Sequence, residues 1–309
     1  NLTTGSRDVV VAVMDTGVDY NHIDLADNMW TNTDEIPGNG TDDDANGFID
    51  DVIGWHFDAA TGTAGNDPMD IHGHGSHVSG TIGAVGNNNT GVVGVNWQVQ
   101  IMALNVFHNT SNGPRATLVD MINAIKYAAN NGAKVLNASL GAYYTAPGSL
   151  VSAMQSFEDQ GGMFIAASGN DGVNTDVYNH NPSNVDLESV VSVAALAYNS
   201  NSAQHELCDG RHGWSGGSNY GATSVDIGAP GHNILSTMPS GAYAYMSGTS
   251  MASPHVAGAA ALFLSMYPDV TVTELRQALL ESGDATGELA GKTVTGLRLN
   301  VFRMINDHI

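Results

Sequence analysis

Short apolar runs alternate with helical stretches along most of the 309 residues of this chain. The first run, Val9–Met14, is continuously apolar, which is typical of a parallel strand buried on both faces. Strands that alternate with helices are joined by right-handed crossovers, which place helices on both faces of a largely parallel sheet. The sequence therefore predicts an α/β fold.

Further segments of both kinds follow along the chain. Strands are predicted at Gln100–Val106, Lys134–Ser139, Met163–Ala167 and Val190–Leu196. Helices are predicted at Gly75–Val85, Ala116–Asn131, Leu150–Gln160, Ser250–Met266 and Val272–Ser282. Two polar stretches, Thr31–Asp51 and Asn199–Asn219, are predicted to be long loops, which in compact domains are usually functional or mobile. No internal repeat or linker divides the chain, so residues 1–309 are predicted to form a single domain.

The composition excludes several classes of function. Thirty-one acidic and nine basic residues give a net charge of −22, which disfavours binding to nucleic acid and anionic membranes because both need basic surface. No apolar run reaches the roughly 18 residues of a membrane span. Cys208 is the only cysteine, so an internal disulfide is impossible; its thiol is interpreted as inert, with a nucleophile as the alternative. No signal peptide is visible, and the chain is interpreted as a mature form without its leader segments.

Two motifs carry candidate acid–base residues. Asp15-Thr16-Gly17 ends the first strand, at the edge of an α/β sheet where functional residues gather. A carboxylate there can orient a histidine, although Asp also caps many strand ends. The segment His72-Gly73-His74-Gly75-Ser76-His77 carries three histidines, which could suggest zinc. The HExxH motif of a zinc protease helix is absent, however, so one histidine acting as a base is the sharper interpretation.

Two further motifs offer a nucleophile and an oxyanion donor. Ser250 lies within Ser247–His255, at the first turn of a predicted helix, where backbone N–H groups and the helix dipole favour negative charge. Asn170 follows the predicted strand Met163–Ala167, and its side-chain NH₂ could bind an oxyanion. A plain N-cap serine and an ordinary turn asparagine are the alternatives when each motif is taken alone.

Together these four motifs resemble the subtilisin-like serine proteases, the subtilase family, over nearly the whole chain. Asp15, His74 and Ser250 occur in the chain order of that family, which differs from the chymotrypsin order. The match around Ser250 is highly specific. The histidine motif departs mildly from the family, since Ser76 and Ser79 stand where Thr and Ala are usual.

The resemblance implies a subtilisin-like three-layer sandwich, with helices on both faces of a mainly parallel sheet. It also implies a serine endopeptidase that works through an acyl-enzyme intermediate. His74, rather than either neighbouring histidine, would take the proton from Ser250 as its Oγ attacks the scissile carbonyl. Asp15 would fix the imidazole, and Asn170 would hold the oxyanion together with the backbone N–H of Ser250.

The same resemblance places the substrate as an extra strand between residues 137–141 and 113–116, where main-chain pairing gives affinity without strong sequence preference. Substrate contacts are expected from Ser139, Leu140, Gly141, Gly169 and Asp171. Leu118 and Met121 either line an apolar pocket with Leu140 or belong to the core. Small pocket walls predict broad specificity, with cleavage after residues of medium to large size and no requirement for Arg or Lys.

Calcium is the predicted cofactor. A first site rests on the resemblance, with Asp24, the side chain of Asn87 and the carbonyls of Val85 and Val92 as ligands. The loop 85–92 is one residue longer than is usual in the family, which leaves open which carbonyls bind.

A second calcium site follows from the spacing of the loop 42–53. It fits positions one, three, five, seven and nine of an EF-hand loop, occupied by Asp42, Asp44, Asn46, Phe48 and Asp50. Position twelve is Ile53, so the usual bidentate Glu is missing, and Asp34, Glu35 or Asp51 would substitute. The alternative is a solvated acidic loop.

Two other classes of protein share parts of this pattern. Serine-carboxyl peptidases have a Ser-Gly-Thr-Ser motif but use Glu and Asp in place of His, and the motif around His74 argues against them. A catalytically dead calcium-binding interaction domain is disfavoured because all four catalytic groups are present. The resemblance implies protein or peptide substrates, and a pro-segment as folding aid and inhibitor. It also implies a monomer that is secreted or held in a secretory compartment.

Overall fold

A computed structural model describes residues 2–111, 113–200 and 204–307. The first eight strands of this part are β1 (Gly5–Asp15), β2 (Gly54–His56), β3 (Gln98–Asn105), β4 (Phe107–Thr110), β5 (Gly113–Ala116), β6 (Val135–Ala138), β7 (Ala142–Tyr143) and β8 (Met163–Ala167). They are followed by β9 (His180–Asn181), β10 (Val190–Asn199), β11 (Gln204–Leu207), β12 (Ile227–Pro230), β13 (Ile234–Met238), β14 (Ala242–Met246), β15 (Asp284–Ala285) and β16 (Leu297–Arg298). The α-helices are α1 (His74–Gly83), α2 (Leu118–Asn130), α3 (Gly148–Asp159), α4 (Thr249–Leu264), α5 (Val272–Glu281) and α6 (Val301–Asn306). Short 3₁₀ turns lie at Ala26–Asn28 and Gly210–His212.

A ten-stranded sheet forms the centre of the fold. Its strands lie in the order β15-β16-β12-β10-β8-β6-β1-β3-β2, and β11 pairs with β10. Only β10 with β11 and β15 with β16 are antiparallel; the other neighbours in this sheet are parallel. The predicted α/β class with a mainly parallel sheet is therefore confirmed.

The two faces of the sheet bury different helices because side chains alternate along each strand. On β1, Val11 and Val13 lie in a core that also contains residues of α1, α4, α5 and α6. Ala12 and Met14 point the other way, into a core shared with α2 and α3. Each fully buried side chain of the size of Val or Met contributes roughly 1.5–3 kcal/mol. The continuous apolar run in β1 thus holds both outer layers of a three-layer sandwich.

All five predicted strands and five predicted helices are present, with ends that differ by four residues or fewer, and β8 has the predicted bounds. The sequence did not indicate three two-stranded sheets, β4 with β5, β7 with β9, and β13 with β14. The predicted loop Asn199–Asn219 contains β11, while residues 201–203 lie outside the described part. Among the residues that the structure describes, no helix is long and apolar enough to cross a membrane.

The single cysteine is buried in the core on the α4 side of the sheet. Burial, with a smaller contribution from Asp209, raises the pKa of the Cys208 thiol to about 12. Because the thiolate is the reactive form, Cys208 stays protonated and inert at neutral pH. This supports the inert interpretation over the nucleophile.

Candidate active site

A buried carboxylate and a histidine form the centre of the site. Nδ1 of His74 lies 2.7 Å from Oδ1 of Asp15. Asp15 ends β1 and is fully buried, whereas the side chain of His74, the first residue of α1, is 20% exposed. The same carboxylate oxygen accepts the backbone N–H of Thr16 at 2.7 Å. The contact makes Nδ1 the protonated nitrogen, so that Nε2 of the neutral ring is free to accept a proton.

The charge around His74 sets its protonation. Burial by itself lowers the pKa of His74, but the charge and hydrogen bond of Asp15 act in the opposite direction, and the charge of Asp70 adds to them. The pKa of His74 is raised as the net result. A raised pKa strengthens the imidazole as a base.

Asp70 was not singled out from the sequence, yet it fixes the approach of α1 to the end of β1. Its Oδ1 accepts hydrogen bonds from Oγ1 of Thr16 (3.0 Å) and from the backbone N–H groups of His72 and Gly73 (2.9 and 2.8 Å). Its Oδ2 accepts the backbone N–H and the hydroxyl of Ser76, at 2.9 and 2.7 Å. Ser76 keeps the hydroxyl that Thr usually supplies at this position, which explains why that departure is mild.

Gly75 allows the close approach of the helix to the strand. A Cβ at this position would collide with the carbonyl oxygen of Gly17 and lie 3.1 Å from Cβ of Asp15. Its backbone N–H donates to Oγ1 of Thr16 at 2.9 Å. A larger residue would therefore push His74 away from Asp15.

The candidate nucleophile Ser250 is the second residue of α4, so its backbone N–H is among the amides that lack a partner within the helix. Its Oγ donates to the carbonyl of Ser139 at 3.1 Å, and Oγ of Ser139 donates back to the carbonyl of Ser250 at 2.8 Å. In the part of the chain that the structure describes, Ser250 Oγ has no hydrogen bond to His74. Such bonds are often loose before substrate binds, and the hydroxyl must turn from Ser139 to reach the imidazole.

Asn170 is oriented by the residue that precedes Ser250. Its Oδ1 accepts the backbone N–H of Thr249 at 2.9 Å and the Thr249 hydroxyl at 2.8 Å. Because both contacts need an acceptor, the amide is fixed with its NH₂ group pointing elsewhere. Asn170 is exposed, and Nδ2 makes no hydrogen bond to the described residues. It is therefore available to a negatively charged oxygen beside Ser250.

The two other histidines of the motif have different environments. His77 is fully buried, and its Nε2 lies 2.9 and 3.1 Å from the carbonyl oxygens of Ile234 and Ala244. Burial lowers its pKa, so it stays neutral and ties α1 to β13 and β14. His72 is exposed and lines the groove described next. Of the three, only His74 is hydrogen-bonded to Asp15.

A groove of about 550 Å³ runs past His74. Among the residues that line it are those predicted from the sequence to bind substrate, Ser139, Leu140 and Gly141, together with Pro114–Ala116 on β5. Leu118 and Met121 line it as well. Met121 is 5% exposed and packs in the core, whereas Leu118 is 38% exposed. Met121 therefore belongs to the core and also borders the groove, while Leu118 is a partly exposed residue of the groove wall.

Gly169 and Asp171 are not among the residues that line this groove, and they lie next to His180 of β9 and Tyr143 of β7, respectively. Oδ2 of Asp171 accepts the hydroxyl of Tyr143 at 2.7 Å. Burial and this hydrogen bond raise the pKa of Tyr143 to about 12, so it remains a donor. The Asp171 carboxylate is consequently engaged by Tyr143, and is less available to a basic substrate side chain than the sequence indicated.

The family follows from comparison with known proteins. A family model described as the Subtilase family matches residues 6–296. The chain belongs to the subtilase family. It is 33% identical over 295 residues to thermitase from Thermoactinomyces vulgaris, covering 96% of this chain and 88% of thermitase. The chain order of Asp15, His74 and Ser250 is the order found in subtilisin.

Two further relatives agree. The subtilase chain is 33% identical over 324 residues to subtilisin-like protease 1 from Plasmodium berghei (strain Anka), covering all of this chain and 51% of that protein. It spans only 39% of the corresponding protein of Plasmodium falciparum (isolate 3D7). The solved structure of the S41 psychrophilic protease superposes with a TM-score of 0.74 at 26% identity, covering 96% of this chain and 93% of that one. The subtilisin-like fold is thereby confirmed.

Three carboxylates converge in the acidic loop of this subtilase. Oxygen atoms of Glu35, Asp42 and Asp44 all lie within 4.8 Å of one another. Glu35 is one of the three substitutes that the sequence offered for the missing ligand at position twelve, and it is buried. Convergent carboxylate oxygens are the donor set that Ca²⁺ prefers, and a bound cation would relieve the repulsion between like charges at this distance. These residues fit calcium.

The other predicted ligands of this loop have different partners. Asp50 does not belong to this cluster, and its two carboxylate oxygens accept backbone N–H groups, from Asn39 at 3.1 Å and Gly40 at 2.9 Å. Asn46 turns its Nδ2 to Asp44, and its Oδ1 accepts the N–H of Phe48 at 2.8 Å. Ligation of a metal by Asn46, Phe48 and Asp50 stays a prediction.

The first predicted site also differs from the expectation. Asn88, and not Asn87, contacts Asp24, donating from Nδ2 to Oδ1 at 2.6 Å. Oδ2 of Asp24 accepts the backbone N–H of Val92 and the hydroxyl of Tyr243, both at 2.9 Å. The backbone N–H of Val85 donates to the carbonyl of Asp24 at 2.8 Å. The carboxylate of Asp24 thus accepts three hydrogen bonds, and a calcium ion held by Asp24 and the loop 85–92 stays a prediction.

Proposed function

We propose that this chain is a serine endopeptidase that hydrolyses peptide bonds through an acyl-enzyme intermediate. One observation carries the proposal: the hydrogen-bonded pair of Asp15 and His74 lies at the same edge of the sheet as Ser250, while Thr249 orients Asn170 beside that serine. A nucleophile, a base, a group that orients the base and an oxyanion donor are the components that acyl transfer requires.

The proposed reaction uses these groups in two steps. Oγ of Ser250 attacks the scissile carbonyl carbon while Nε2 of His74 takes its proton, and Asp15 stabilises the resulting imidazolium. Nδ2 of Asn170 and the backbone N–H of Ser250 bind the oxyanion. The C–N bond then breaks, and the imidazolium returns the proton to the leaving amine. Water hydrolyses the acyl-enzyme by the same route in reverse.

A covalent serine probe tests this function directly. A fluorophosphonate should label the chain once, with the label on Ser250, and should abolish hydrolysis of casein in proportion to labelling. The variants Ser250→Ala and His74→Ala should not be labelled. Labelling that persists in Ser250→Ala, or hydrolysis that continues after complete labelling, would contradict the proposal. An unlabelled wild-type chain would favour the catalytically dead interaction domain.

Binding through the main chain supports broad specificity over most of the substrate. Strands β4 and β5 and the segment Ser139–Gly141 flank the groove, so an extended peptide would pair with backbone on both sides. Pairing through main-chain hydrogen bonds does not depend on the identity of the substrate side chains. The side chain next to the scissile bond on its acyl side is the exception treated below.

We further propose that calcium stabilises the fold at the loop of Glu35, Asp42 and Asp44, which supports the cofactor expected from the sequence. The remaining parts of the proposal follow the family: a single peptidase domain over residues 1–309, protein or peptide substrates, and a pro-segment that assists folding and inhibits the enzyme. A monomer that is secreted, or held in a secretory compartment, completes it. Size-exclusion chromatography tests whether the protein is a monomer. Refolding with added pro-segment tests whether that segment assists folding.

A further inference from the structure

A cleft in the active site is filled by a side chain of the protein itself, and that side chain is not one of the catalytic groups. The cleft lies between the segments that follow β6 and β8. Ser250 Oγ bonds to Ser139 on one side of it, and Asn170 lies on the other. A scissile carbonyl carbon at Ser250 Oγ, with its oxygen at Asn170, therefore directs the acyl-side side chain between residues 139–141 and 168–170.

The imidazole of His180 already fills this space. A Cβ on Gly141 would collide with Cε1 of His180 and lie 2.8 Å from its Nε2. A Cβ on Gly169, whose φ is +104°, would lie 2.9 Å from the same Nε2. Both walls of the cleft are thus glycine at the points where they meet the ring, and His180 is only 4% exposed. The ring therefore lies between the two walls, where it occupies the space of the cleft.

The ring is held firmly in place. His180 begins β9, which pairs antiparallel with β7, and it lies opposite Tyr143 in the register. The two rings meet edge to face with centroids 5.3 Å apart. Nδ1 of His180 lies 3.0 Å from Oγ of Ser183, whose own hydroxyl donates to the His180 carbonyl at 2.9 Å. Displacing the ring to admit a large substrate side chain would break these contacts together.

The nitrogen that faces the cleft is an acceptor. Because the Ser183 hydroxyl proton is used in the bond to the carbonyl, Nδ1 of His180 is the ring donor and Nε2 carries the lone pair. Burial lowers the pKa of His180 to about 4, so the ring is neutral at the pH of proteolysis. An aromatic substrate side chain pressed against Nε2 would remove it from water without supplying a donor, which is unfavourable.

We propose that His180 is a specificity-determining residue that makes the acyl-side pocket shallow, so that the enzyme cleaves after small residues such as Ala and Ser. This inference rests on the proposed peptidase function, and it replaces the expectation of medium to large residues at this one position. A serine side chain of the substrate is suited to contact with the His180 ring, since its hydroxyl can donate to Nε2 of His180. Tyr143 packs against His180, and its hydroxyl binds the Asp171 carboxylate and holds it away from a basic side chain.

The test compares peptide p-nitroanilides that share three residues and end in Ala, Ser, Leu or Phe. For the wild-type chain we expect kcat/KM for Ala and Ser to exceed that for Phe at least tenfold. In His180→Ala the ratio of Phe to Ala should rise at least tenfold, because the ring no longer fills the cleft. His205→Ala, a histidine on β11, is the matched control and should leave the ratio within twofold of wild type.

Two results would overturn the inference. One is a wild-type preference for Leu or Phe over Ala; the other is a folded His180→Ala variant whose Phe-to-Ala ratio equals that of wild type. If His180→Ala fails to fold by circular dichroism, the wild-type series alone decides. Failure of the proposed function is a different result, since no substrate would then be cleaved and a fluorophosphonate would not label Ser250.

Discussion

Nδ1 of His74 lies 2.7 Å from Oδ1 of Asp15, and the carboxylate is fully buried while the imidazole reaches the solvent. In Asp15→Asn the amide can keep the geometry but favours the wrong tautomer of His74. We expect kcat to fall about 10⁴-fold with the melting temperature nearly unchanged. Steady-state kinetics on a peptide substrate and thermal unfolding measure both. A loss below tenfold would contradict the role of Asp15.

The pH dependence of activity follows from the same pair. The base must be neutral to accept a proton, so kcat/KM falls as the pH drops through the pKa of His74. Since Asp15 and Asp70 raise that pKa, the acidic limb should lie above about 6.5, the ordinary value for histidine. In Asp15→Asn the main cause of the rise is removed, and the limb of the residual activity should move to lower pH. A limb that moves upward would contradict this.

The choice among the three histidines is tested by alanine substitution. His74→Ala and Ser250→Ala should each abolish proteolysis, and the double variant should be no worse, because the groups act as a unit. His72→Ala removes an exposed side chain and should retain far more activity. His77→Ala removes a buried link from α1 to β13 and β14, so its main effect should be on thermal stability. Activity of His74→Ala within tenfold of wild type would exclude it as the base.

The orientation of Asn170 gives a separate prediction. Asn170→Ala should lower kcat about 10²- to 10³-fold with little change in KM, because the oxyanion exists only in the transition state. Thr249→Val keeps the shape of Thr249 but removes the hydroxyl that bonds to Oδ1 of Asn170. We expect a smaller loss in kcat, restored by Thr249→Ser. If Thr249→Ser does not rescue the rate, shape and not the hydrogen bond is responsible.

Much of the fold could be predicted because its signals are local. The apolar run of β1 and the strand Met163–Ala167 are complete within a few residues, and their burial on both faces requires a covered parallel sheet. The short pair β7 with β9 could not be predicted in this way. Two-residue strands carry no periodicity, and pairing partners about 40 residues apart meet only once the sheet exists.

The site was predictable where a motif carries it and not where it depends on tertiary contacts. His74 and Ser250 lie in specific motifs. Asp70 accepts five hydrogen bonds that join residues 16–76, yet nothing in its own neighbourhood distinguishes it from other acidic loop residues. The role of His180 could not be predicted for the same reason, since its position between Gly141 and Gly169 follows from the pairing of β7 with β9.

The acidic loop gives the last prediction, a dependence of stability on calcium. A cation that binds only the folded state stabilises it by about 2.7 kcal/mol at a hundredfold excess over Kd, and each kcal/mol shifts the melting temperature of a large domain by about 2–4 °C. Chelation with EDTA should therefore lower the melting temperature by several degrees. In Glu35→Gln this difference between calcium and EDTA should shrink, because one of three converging carboxylates has lost its charge.

Asp50→Asn is the matched control for that experiment. Glu35 and Asp50 lie in the same loop, and each uses both carboxylate oxygens to accept backbone N–H groups, so both variants lose a comparable structural hydrogen bond. Only Glu35 also belongs to the cluster with Asp42 and Asp44. Asp50→Asn should thus lower the melting temperature equally in calcium and in EDTA. A calcium dependence that Asp50→Asn abolishes and Glu35→Gln preserves would place the ion at Asp50, as the EF-hand spacing predicts, and would exclude the cluster.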